Sequence, residues 1–203
     1  MFQDFSHAAE RNKAPILAAL GPLLENAREV LEIGAGSGQH ACYFAAALPG
    51  LRWQASEHPT GVAALAANLA GADVALPAPL ALDVRVSPWP VTTVDAVYAA
   101  NVVHCMTWPA VEALFAGVAG VLRPGGPLLL YGPFNRDGRF TSEGNLRLDA
   151  WARGLDPGFG LRDLAELEAL AARVGLALCE NLALPANNQL LVWRHASTQK
   201  TGR

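Results

Sequence analysis

The chain has 203 residues, of which 52% are apolar, and this is enough to fill one sizeable core and favours a single domain. Only 16% of the residues are charged and the formal net charge is −3, so the sequence lacks the basic surface that grips a phosphate backbone. We therefore expect no nucleic-acid partner. No stretch approaches the ~18 apolar residues of a membrane span or has the pattern of a secretory leader, so we expect no membrane partner.

The cysteines indicate the redox environment. The chain has three cysteines, Cys42, Cys105 and Cys179. Their number is odd, their spacing is not that of pairs, and each lies in an apolar run. This pattern predicts buried thiols in a reducing cytoplasm rather than disulfides or metal ligands. We expect a cytoplasmic protein without a bound metal, as a monomer or a homodimer.

Helices and strands alternate along most of the chain. An apolar stripe at helical spacing predicts an opening helix over residues 7–25, in which Pro15 suits the first turn better than the middle. Short apolar runs then predict strands, and Ala- and Leu-rich segments between them predict helices. The predicted strands are 29–33, 52–56, 79–82, 95–100 and 127–131, and the predicted helices are 39–48, 61–70 and 108–122. This alternation indicates parallel strands with crossover helices on both faces of the sheet.

The end of the chain departs from that alternation. A helix at 163–174 precedes two apolar runs, 177–184 and 189–193, and the four residues between the runs are too few for a crossover. The last two strands should therefore be antiparallel. Residues 1–195 then form one α/β domain, with a Rossmann-like, doubly wound, seven-stranded sheet and a C-terminal antiparallel hairpin. Residues 196–203 are polar, and we expect a frayed tail.

A glycine-rich loop follows the first strand and opens the next helix, where glycines let the backbone approach a ligand. The glycines are Gly34, Gly36 and Gly38, whereas a dinucleotide fingerprint would place its third glycine at position 39. Glu32 would repel a pyrophosphate but could receive the ammonium of an amino-acid-type cofactor. The pattern, which includes Ala35, resembles motif I of class I methyltransferases and favours S-adenosylmethionine over a nicotinamide. A glycine-rich turn that binds nothing stays an alternative.

Acidic residues follow the second and third strands. Glu57 lies 19 residues after Gly38, close to the ~20 expected of an acid that binds ribose hydroxyls. A solvated glutamate before the turn at Pro59 is the alternative. Asp83, followed by Val84, could accept a hydrogen bond from an adenine amino group, or could form an Asx turn.

Asn101 and His104 lie just beyond the carboxyl end of the fourth strand, in the crevice where ligands of α/β proteins bind. Asn101 can line the pocket through its backbone or its amide, and His104 has the pKa range for removing a proton from a nucleophile. A packed histidine bonded to backbone is an equal alternative for His104. No Asn/Asp-Pro-Pro-Tyr stretch follows the strand, which argues against methylation of amino groups on DNA bases.

The fifth strand leads into a polar, arginine-bearing segment at 131–145. This segment and four others resemble the methyltransferase-like family of unknown function numbered 938, which includes the human methyltransferase-like protein twenty-six. The other four are 6–16, 37–40, 155–163 and 184–188. The resemblance spans nearly the whole chain and implies the class I fold with a methyl-donor site at the positions named above. It implies no particular substrate. Glu57 stands where the family commonly has aspartate and Cys105 where it has an aliphatic residue.

Basic and polar residues near the same sheet edge predict an acceptor site. Basic residues lie at the start of the first helix (Arg11 and Lys13) and just after the fifth strand (Arg136 and Arg139). Two such groups facing one crevice indicate an anionic substrate. The alternative for each is an ion pair with a neighbouring acidic residue. Tyr131 could wall the pocket or fill the core. The candidate catalytic residues are His104, Asn101, Arg136 and Tyr131, and the candidate substrate-binding residues are Arg11, Asn12, Lys13, Asn135 and Arg139.

Three functions are compatible with these patterns. The first is methyl transfer from S-adenosylmethionine to a small molecule, with an anionic one as an option. The second is a module that binds S-adenosylmethionine without turnover and serves a regulatory or partner role. The third is a nicotinamide oxidoreductase, which the loop spacing disfavours.

Overall fold

The computed structural model describes residues 2–196. The expected frayed tail lies outside these residues from position 197 onward. The helices are α1 (His7–Leu23), α2 (Gln39–Ala47), α3 (Val62–Ala70), α4 (Trp108–Val121), α5 (Glu143–Leu155) and α6 (Leu164–Arg173). The strands are β1 (Glu29–Ile33), β2 (Arg52–Glu57), β3 (Leu80–Ala81), β4 (Ala96–Ala100), β5 (Leu128–Gly132), β6 (Leu176–Leu184) and β7 (Asn188–His195), and a 3₁₀ turn spans Val103–Cys105.

The strands form one seven-stranded sheet in the order β3-β2-β1-β4-β5-β7-β6. Strands β1 to β5 pair in parallel, and β7 is antiparallel to both β5 and β6. The doubly wound sheet and the antiparallel hairpin are therefore confirmed. From β1 the strand order runs to β2 and β3 on one side, and from β4 it runs to β5 on the other side. The crevice in which α/β proteins bind ligands therefore opens at the carboxyl ends of β1 and β4.

Two apolar layers cover the two faces of the sheet. Helices α1, α2 and α3 pack on one face, around Phe44 and Trp53. Helices α4 and α6 pack on the other face, around Phe115 and Trp193. This arrangement explains why the central strands read as nearly continuous apolar runs, since each is buried from both sides.

Three local features differ from the expectations. Pro15 lies inside α1, which continues to Leu23, so the proline is not in the first turn. Helix α5 has no predicted counterpart: Ser142 caps it by accepting a hydrogen bond from the backbone N–H of Asn145 at 3.1 Å. None of the three cysteines is fully buried: Cys42 and Cys105 are half-buried, and Cys179 is exposed on the edge strand β6, because side chains alternate between the two faces of a strand.

Two glycines of α4 provide a matched test of the packing between α4 and Trp89. A Cβ at Gly117 would lie 2.1 Å from the indole ring of Trp89, whereas one at Gly120 would have no neighbour within 4 Å. We expect Gly117→Ala to lower the free energy of unfolding by about 2–3 kcal/mol, because the core there is filled. Gly120→Ala should raise it by about 0.5–1 kcal/mol, since alanine favours the helix. Chemical denaturation measures both, and similar effects of the two changes would contradict the packing.

Candidate functional site

The glycine loop adopts the backbone that its sequence requires. Gly34, Gly36 and Gly38 have φ angles of 68°, 56° and 84°, which a residue with a Cβ rarely adopts. A Cβ at Gly34 would also lie 2.8 Å from a methyl group of Val102. The loop is fixed to the neighbouring strand, because the N–H of Ala35 donates to the carbonyl of Ser56 at 3.0 Å. The loop therefore forms an ordered turn at the carboxyl end of β1.

Glu32 is a buried carboxyl group beside this loop. It is 2% exposed, and it lines a small cavity of about 130 Å³ that we call the glycine pocket. Burial raises the pKa of Glu32 to about 7, while the indole N–H of Trp53, which donates to Oε2 at 2.7 Å, opposes the rise and the charge of Glu57 adds to it. A buried carboxylate with one hydrogen bond is costly, so a cation in the glycine pocket would stabilise its charged form. The glycine pocket is lined mainly by Ser6, Ala9, Glu32, Gly34, Ala35, Gly36, Ser37, His40 and Asn101.

Glu57 lies at the carboxyl end of β2 and faces the loop. Its Oε2 accepts a hydrogen bond from the N–H of Gly36 at 2.7 Å, and its Oε1 accepts one from the N–H of His58 at 2.8 Å. A carboxylate has further lone pairs, so hydroxyl donors can still bind it. Glu57 lines a second cavity of about 490 Å³, which we call the Glu57 pocket, and Asp83 and Val84 line it too.

Asp83 is held by its own loop. Its carboxylate accepts hydrogen bonds from the backbone N–H of Arg85 at 3.0 Å and from the guanidinium at 2.9 and 2.7 Å. Hydrogen bonds and charge from Arg85 hold the pKa of Asp83 well below its ordinary value. This is the Asx turn that the sequence left as the alternative. The turn places the carboxylate at the wall of the Glu57 pocket, where it already accepts three hydrogen bonds from Arg85.

Asn101 joins three cavities. It lines the glycine pocket, the Glu57 pocket and a wider cavity of about 1010 Å³. Its φ of 58° is unusual for a residue other than glycine, and its N–H donates to the carbonyl of Tyr131 at 2.8 Å. The three cavities therefore adjoin one another at the end of β4, and together we call them the cleft. The wide cavity is lined by Ser6, Ala8, Arg11, Asn12, Pro15, Asn101, His104, Cys105, Tyr131, Pro133, Ser142–Asn145, Leu148, Trp151 and Pro185–Asn188.

His104 lies in the wall of the wide cavity, on the 3₁₀ turn after β4. It is 5% exposed, and its Nδ1 has no hydrogen-bond partner among residues 2–196. Burial lowers the pKa of His104 to about 4, and the positive charge of Arg162 lowers it further. Near neutral pH the imidazole is therefore uncharged, which is the form that accepts a proton.

Arg162 fixes this turn from the opposite side. Its Nε donates to the carbonyl of Val103 at 3.1 Å, and its guanidinium lies over the ring of Trp108. The carbonyl of His104 accepts a hydrogen bond from the N–H of Gly160 at 2.9 Å. These contacts determine the orientation of His104. The sequence stretch around Arg162 gave no separate signal for this role.

The structure brings some of the predicted acceptor-side residues together and separates others. Arg11, Asn12, Asn101, His104 and Tyr131 all line the wide cavity. Arg11 is exposed to it and forms no ion pair within residues 2–196. The residues that lie elsewhere are Lys13, Asn135, Arg136 and Arg139.

Each of those four residues makes its contacts outside the wide cavity. Lys13 pairs with Glu10 and lies over the ring of Tyr43, on another face of α1. Asn135 has its side-chain oxygen buried away from the cavity, and its backbone bonds to the segment before α6. Arg136 is exposed and donates to Gln189 at 3.1 Å, and Arg139 closes a tight turn with it. The polar segment turns away from the sheet edge within a few residues, which is why these side chains miss the cavity.

Two segments that line the wide cavity were named in the sequence interpretation but not assigned to a site. One is the start of α5, which supplies Asn145, and further along Trp151, which could have walled the pocket or filled the core and is 54% exposed. The other is the tip of the β6–β7 hairpin, where Ala186 and Asn187 have φ angles of 61° and 57°. Positive φ angles at the two central residues are the ordinary geometry of a tight hairpin turn. The Ser142 cap and the short turn between the last two strands were the available signals in the sequence.

The whole chain has recognisable relatives. A family model described as "Protein of unknown function (DUF938)" matches residues 3–195. The chain belongs to this family. The relationship to the human methyltransferase-like protein twenty-six stays a prediction.

The DUF938 chain is also similar to solved structures of methyltransferases. Mitomycin 7-O-methyltransferase matches with a TM-score of 0.81 and 23% identity, over 93% of this chain and 54% of that one. Human N-acetylserotonin methyltransferase in complex with S-adenosylmethionine matches with a TM-score of 0.78 and 17% identity, over 94% and 53%. An O-methyltransferase family protein from Burkholderia thailandensis matches with a TM-score of 0.76 and 20% identity, over 95% and 58%.

These matches establish the class I methyltransferase fold for the DUF938 chain, which spans slightly more than half the length of each matched structure. Across residues 2–196 we find no helix that is long and apolar enough to cross a membrane. In the same range, no group of three or more His, Cys, Asp or Glu side chains is placed to hold a metal ion.

Proposed function

We propose that the chain is an S-adenosylmethionine-dependent methyltransferase of a small molecule that carries an anionic group. The observation that supports this most is the meeting of three cavities at Asn101. Two of the cavities offer what a methyl donor needs, and the third offers room and a neutral imidazole for an acceptor. Transfer requires the two reacting atoms to be held in contact, and the junction provides the place.

The residues of the glycine pocket and the Glu57 pocket fit S-adenosylmethionine. Glu32 is a buried carboxyl group that a ligand ammonium would stabilise in its charged form. Glu57 accepts from the Gly36 N–H and has lone pairs left for two ribose hydroxyls. Asp83 and Val84 would line the adenine end of the Glu57 pocket. When bound, the donor supplies a methyl group on a positively charged sulfur.

The wide cavity fits the acceptor. His104, neutral near pH 7, would accept the proton that the acceptor's nucleophilic atom loses as its bond to the methyl carbon forms. Asn101 would hold the acceptor and the donor at the junction. Arg11 faces the cavity without an ion pair within residues 2–196, and for this reason we propose an anionic group on the acceptor. We place this activity in the cytoplasm, in a monomer or homodimer.

An isotope-labelling experiment tests the proposal. Purified protein is incubated with a cell extract of small molecules and with S-adenosylmethionine labelled in its methyl group, and products are found by mass spectrometry. We expect a labelled anionic product with the native chain and a much smaller yield with Arg11→Leu. Donor binding without any labelled product would instead favour a regulatory module that binds the donor and does not turn it over.

Donor binding should also release a proton below pH 7. The free Glu32 has a pKa of about 7, so it is mostly protonated at pH 6. The donor's ammonium favours the carboxylate, lowers that pKa and releases the proton. Calorimetric titration at pH 6 should therefore give a binding heat that varies with the ionisation enthalpy of the buffer. The release should fall as the pH rises through 7, and a release that is as large at pH 8 as at pH 6 would contradict this role of Glu32.

A further inference from the structure

One side of helix α5 is buried although it carries polar residues. Asn145, Asp149 and Ala152 form this side, and Asp149 is 6% exposed. Leu148 and Trp151, on the neighbouring side, line the wide cavity. A buried carboxylate is costly unless hydrogen bonds stabilise it. The hydrogen-bond partners of Asp149 therefore indicate what this side of α5 holds in place.

Asp149 holds the segment that follows α5. Its Oδ1 accepts a hydrogen bond from the backbone N–H of Leu161 at 2.7 Å, and its Oδ2 accepts one from Nε of Arg153 at 2.7 Å. Gly160 packs directly on the carboxylate, since a Cβ at this position would lie 2.6 Å from Oδ1. These contacts fix residues 156–162, which we call the connecting segment, to α5.

The connecting segment also holds the turn that carries His104. The N–H of Gly160 donates to the carbonyl of His104 at 2.9 Å. The side chain of Arg162, which is buried, donates to the carbonyls of Val103 and Met106. Three backbone carbonyls of the turn are therefore bonded to the connecting segment.

Only two adjacent residues separate Asp149 from His104. Leu161 donates to the carboxylate of Asp149, and Gly160 donates to the carbonyl of His104. Helix α5 therefore borders the wide cavity in two ways, directly through its own side chains and indirectly through the backbone that carries the imidazole. This matters for a reaction, because a shift of about 1 Å between reacting groups lowers a rate by up to about 100-fold.

We propose that Asp149 is a positioning residue for methyl transfer. Through the connecting segment it sets the place of the His104 imidazole relative to an acceptor that lies against α5. The described lining residues of the three cavities do not include Asp149, so it acts through His104 and touches neither acceptor nor donor. This role rests on the proposed function, because it concerns the proton that His104 accepts. The hydrogen-bonded connection from Asp149 to His104 does not.

A double-mutant cycle tests the role. The initial rate of labelled-methyl transfer in the extract is measured for the native chain, Asp149→Ala, His104→Ala and the double variant. Asp149→Ala alone should lower the rate by about tenfold and leave donor affinity within about twofold, because the donor pockets are untouched. In the His104→Ala background the same change should have no further effect on the rate, since no imidazole is left to position.

Further variants separate the bond to Leu161 from the charge of Asp149. Asp149→Asn keeps an oxygen that can accept from the Leu161 N–H, and Arg153→Gln removes only the ion pair. Both should keep a rate within about threefold of the native one. Gly160→Ala disturbs the same contact from the connecting segment and should lower the rate only when His104 is present. It completes the cycle if Asp149→Ala does not fold.

The connection itself is measured without an acceptor. Amide hydrogen exchange of Gly160, whose N–H donates to His104, should be faster in Asp149→Ala than in the native chain and unchanged in Arg153→Gln. Unchanged exchange in Asp149→Ala would overturn the connection.

Two kinetic results would overturn the positioning role. One is a fall in rate that is equal with and without the His104 imidazole, which would show that Asp149 only stabilises the fold. The other is a native rate in both Asp149→Ala and Gly160→Ala. An extract that yields no labelled product would overturn the proposed function and the positioning role with it, whereas faster exchange of Gly160 would still support the connection.

Discussion

Replacing Glu32 by Gln is expected to remove most of the affinity for S-adenosylmethionine while making the free protein more stable above pH 7. The affinity falls because the amide cannot pair with the donor's ammonium, and the loss of a buried charged hydrogen bond corresponds to a decrease of about 100-fold. Gln keeps a side-chain oxygen that can accept from the indole N–H of Trp53, which now donates to Glu32 at 2.7 Å. The local fold should therefore survive the substitution.

The gain in stability follows from the direction of the pKa shift. The pKa of Glu32 is raised from 4.5 to about 7 on folding, so the folded state holds this proton more tightly than the unfolded state does. The wild-type protein therefore loses stability as the pH rises from about 4.5 to 7, by about 3 kcal/mol in total. Glu32→Gln lacks this titration. Its advantage should be absent below pH 4.5 and complete above pH 7.

Thermal unfolding of both proteins from pH 4 to 8.5, with and without donor, measures these effects. Glu29→Gln is a matched control, because Glu29 lies at the other end of the same strand and pairs with Arg52 on the surface. The control should bind the donor as the native chain does and show the native pH dependence. A Glu32→Gln variant that keeps native donor affinity would show that the carboxylate does not receive the ammonium.

His104→Ala is expected to lower kcat by about 10–100-fold, because an imidazole of lowered pKa is a weaker base than one matched to neutral pH, and to leave donor affinity within about twofold. The neutral imidazole lines the acceptor cavity, whereas the donor is held by the other two pockets. Since burial lowers the pKa of His104 to about 4, the base is already deprotonated throughout pH 5–8. The rate should fall on acidification only as the pH approaches 4, with no step near the ordinary histidine pKa of 6.5.

The measurement is labelled-methyl transfer as a function of pH, with calorimetry of donor binding beside it. His7→Ala, an exposed histidine at the start of α1, serves as the control and should keep native kcat. A His104→Ala protein with native kcat would assign His104 to packing alone. A rate step near pH 6.5 that disappears in His104→Ala would show that the imidazole is far less shielded than its burial implies.

Much of the fold was predictable because its signals are local. The glycine loop and the bounds of β1 follow from the sequence, and so does the hairpin, since four residues cannot contain a crossover. Helix α5 was missed because polar and charged residues interrupt its sequence and leave only a weak apolar pattern. Pro15 was misplaced because α1, which packs on α2, continues through a residue that usually begins a helix.

The site was predictable only where residues sit directly at strand ends. Glu32 and Glu57 lie in the last two residues of β1 and β2, Asn101 follows β4 directly, and the sheet brings all three to one edge. The arginines after β5 are also close to that edge in sequence, but a tight turn carries Arg136 and Arg139 away from the cavity. Hydrogen bonds of the His40 ring to the Tyr98 hydroxyl and to the Asn12 side chain connect residues 86 apart in sequence, and only the packed structure reveals them.

The central claim is that this cleft holds S-adenosylmethionine, and calorimetric titration of the purified protein with the donor and with its demethylated product tests it most directly. We predict one binding site per chain for each ligand, and a large loss of affinity for both in Glu32→Gln but not in Glu29→Gln. Binding of neither ligand to the folded native protein would contradict the account.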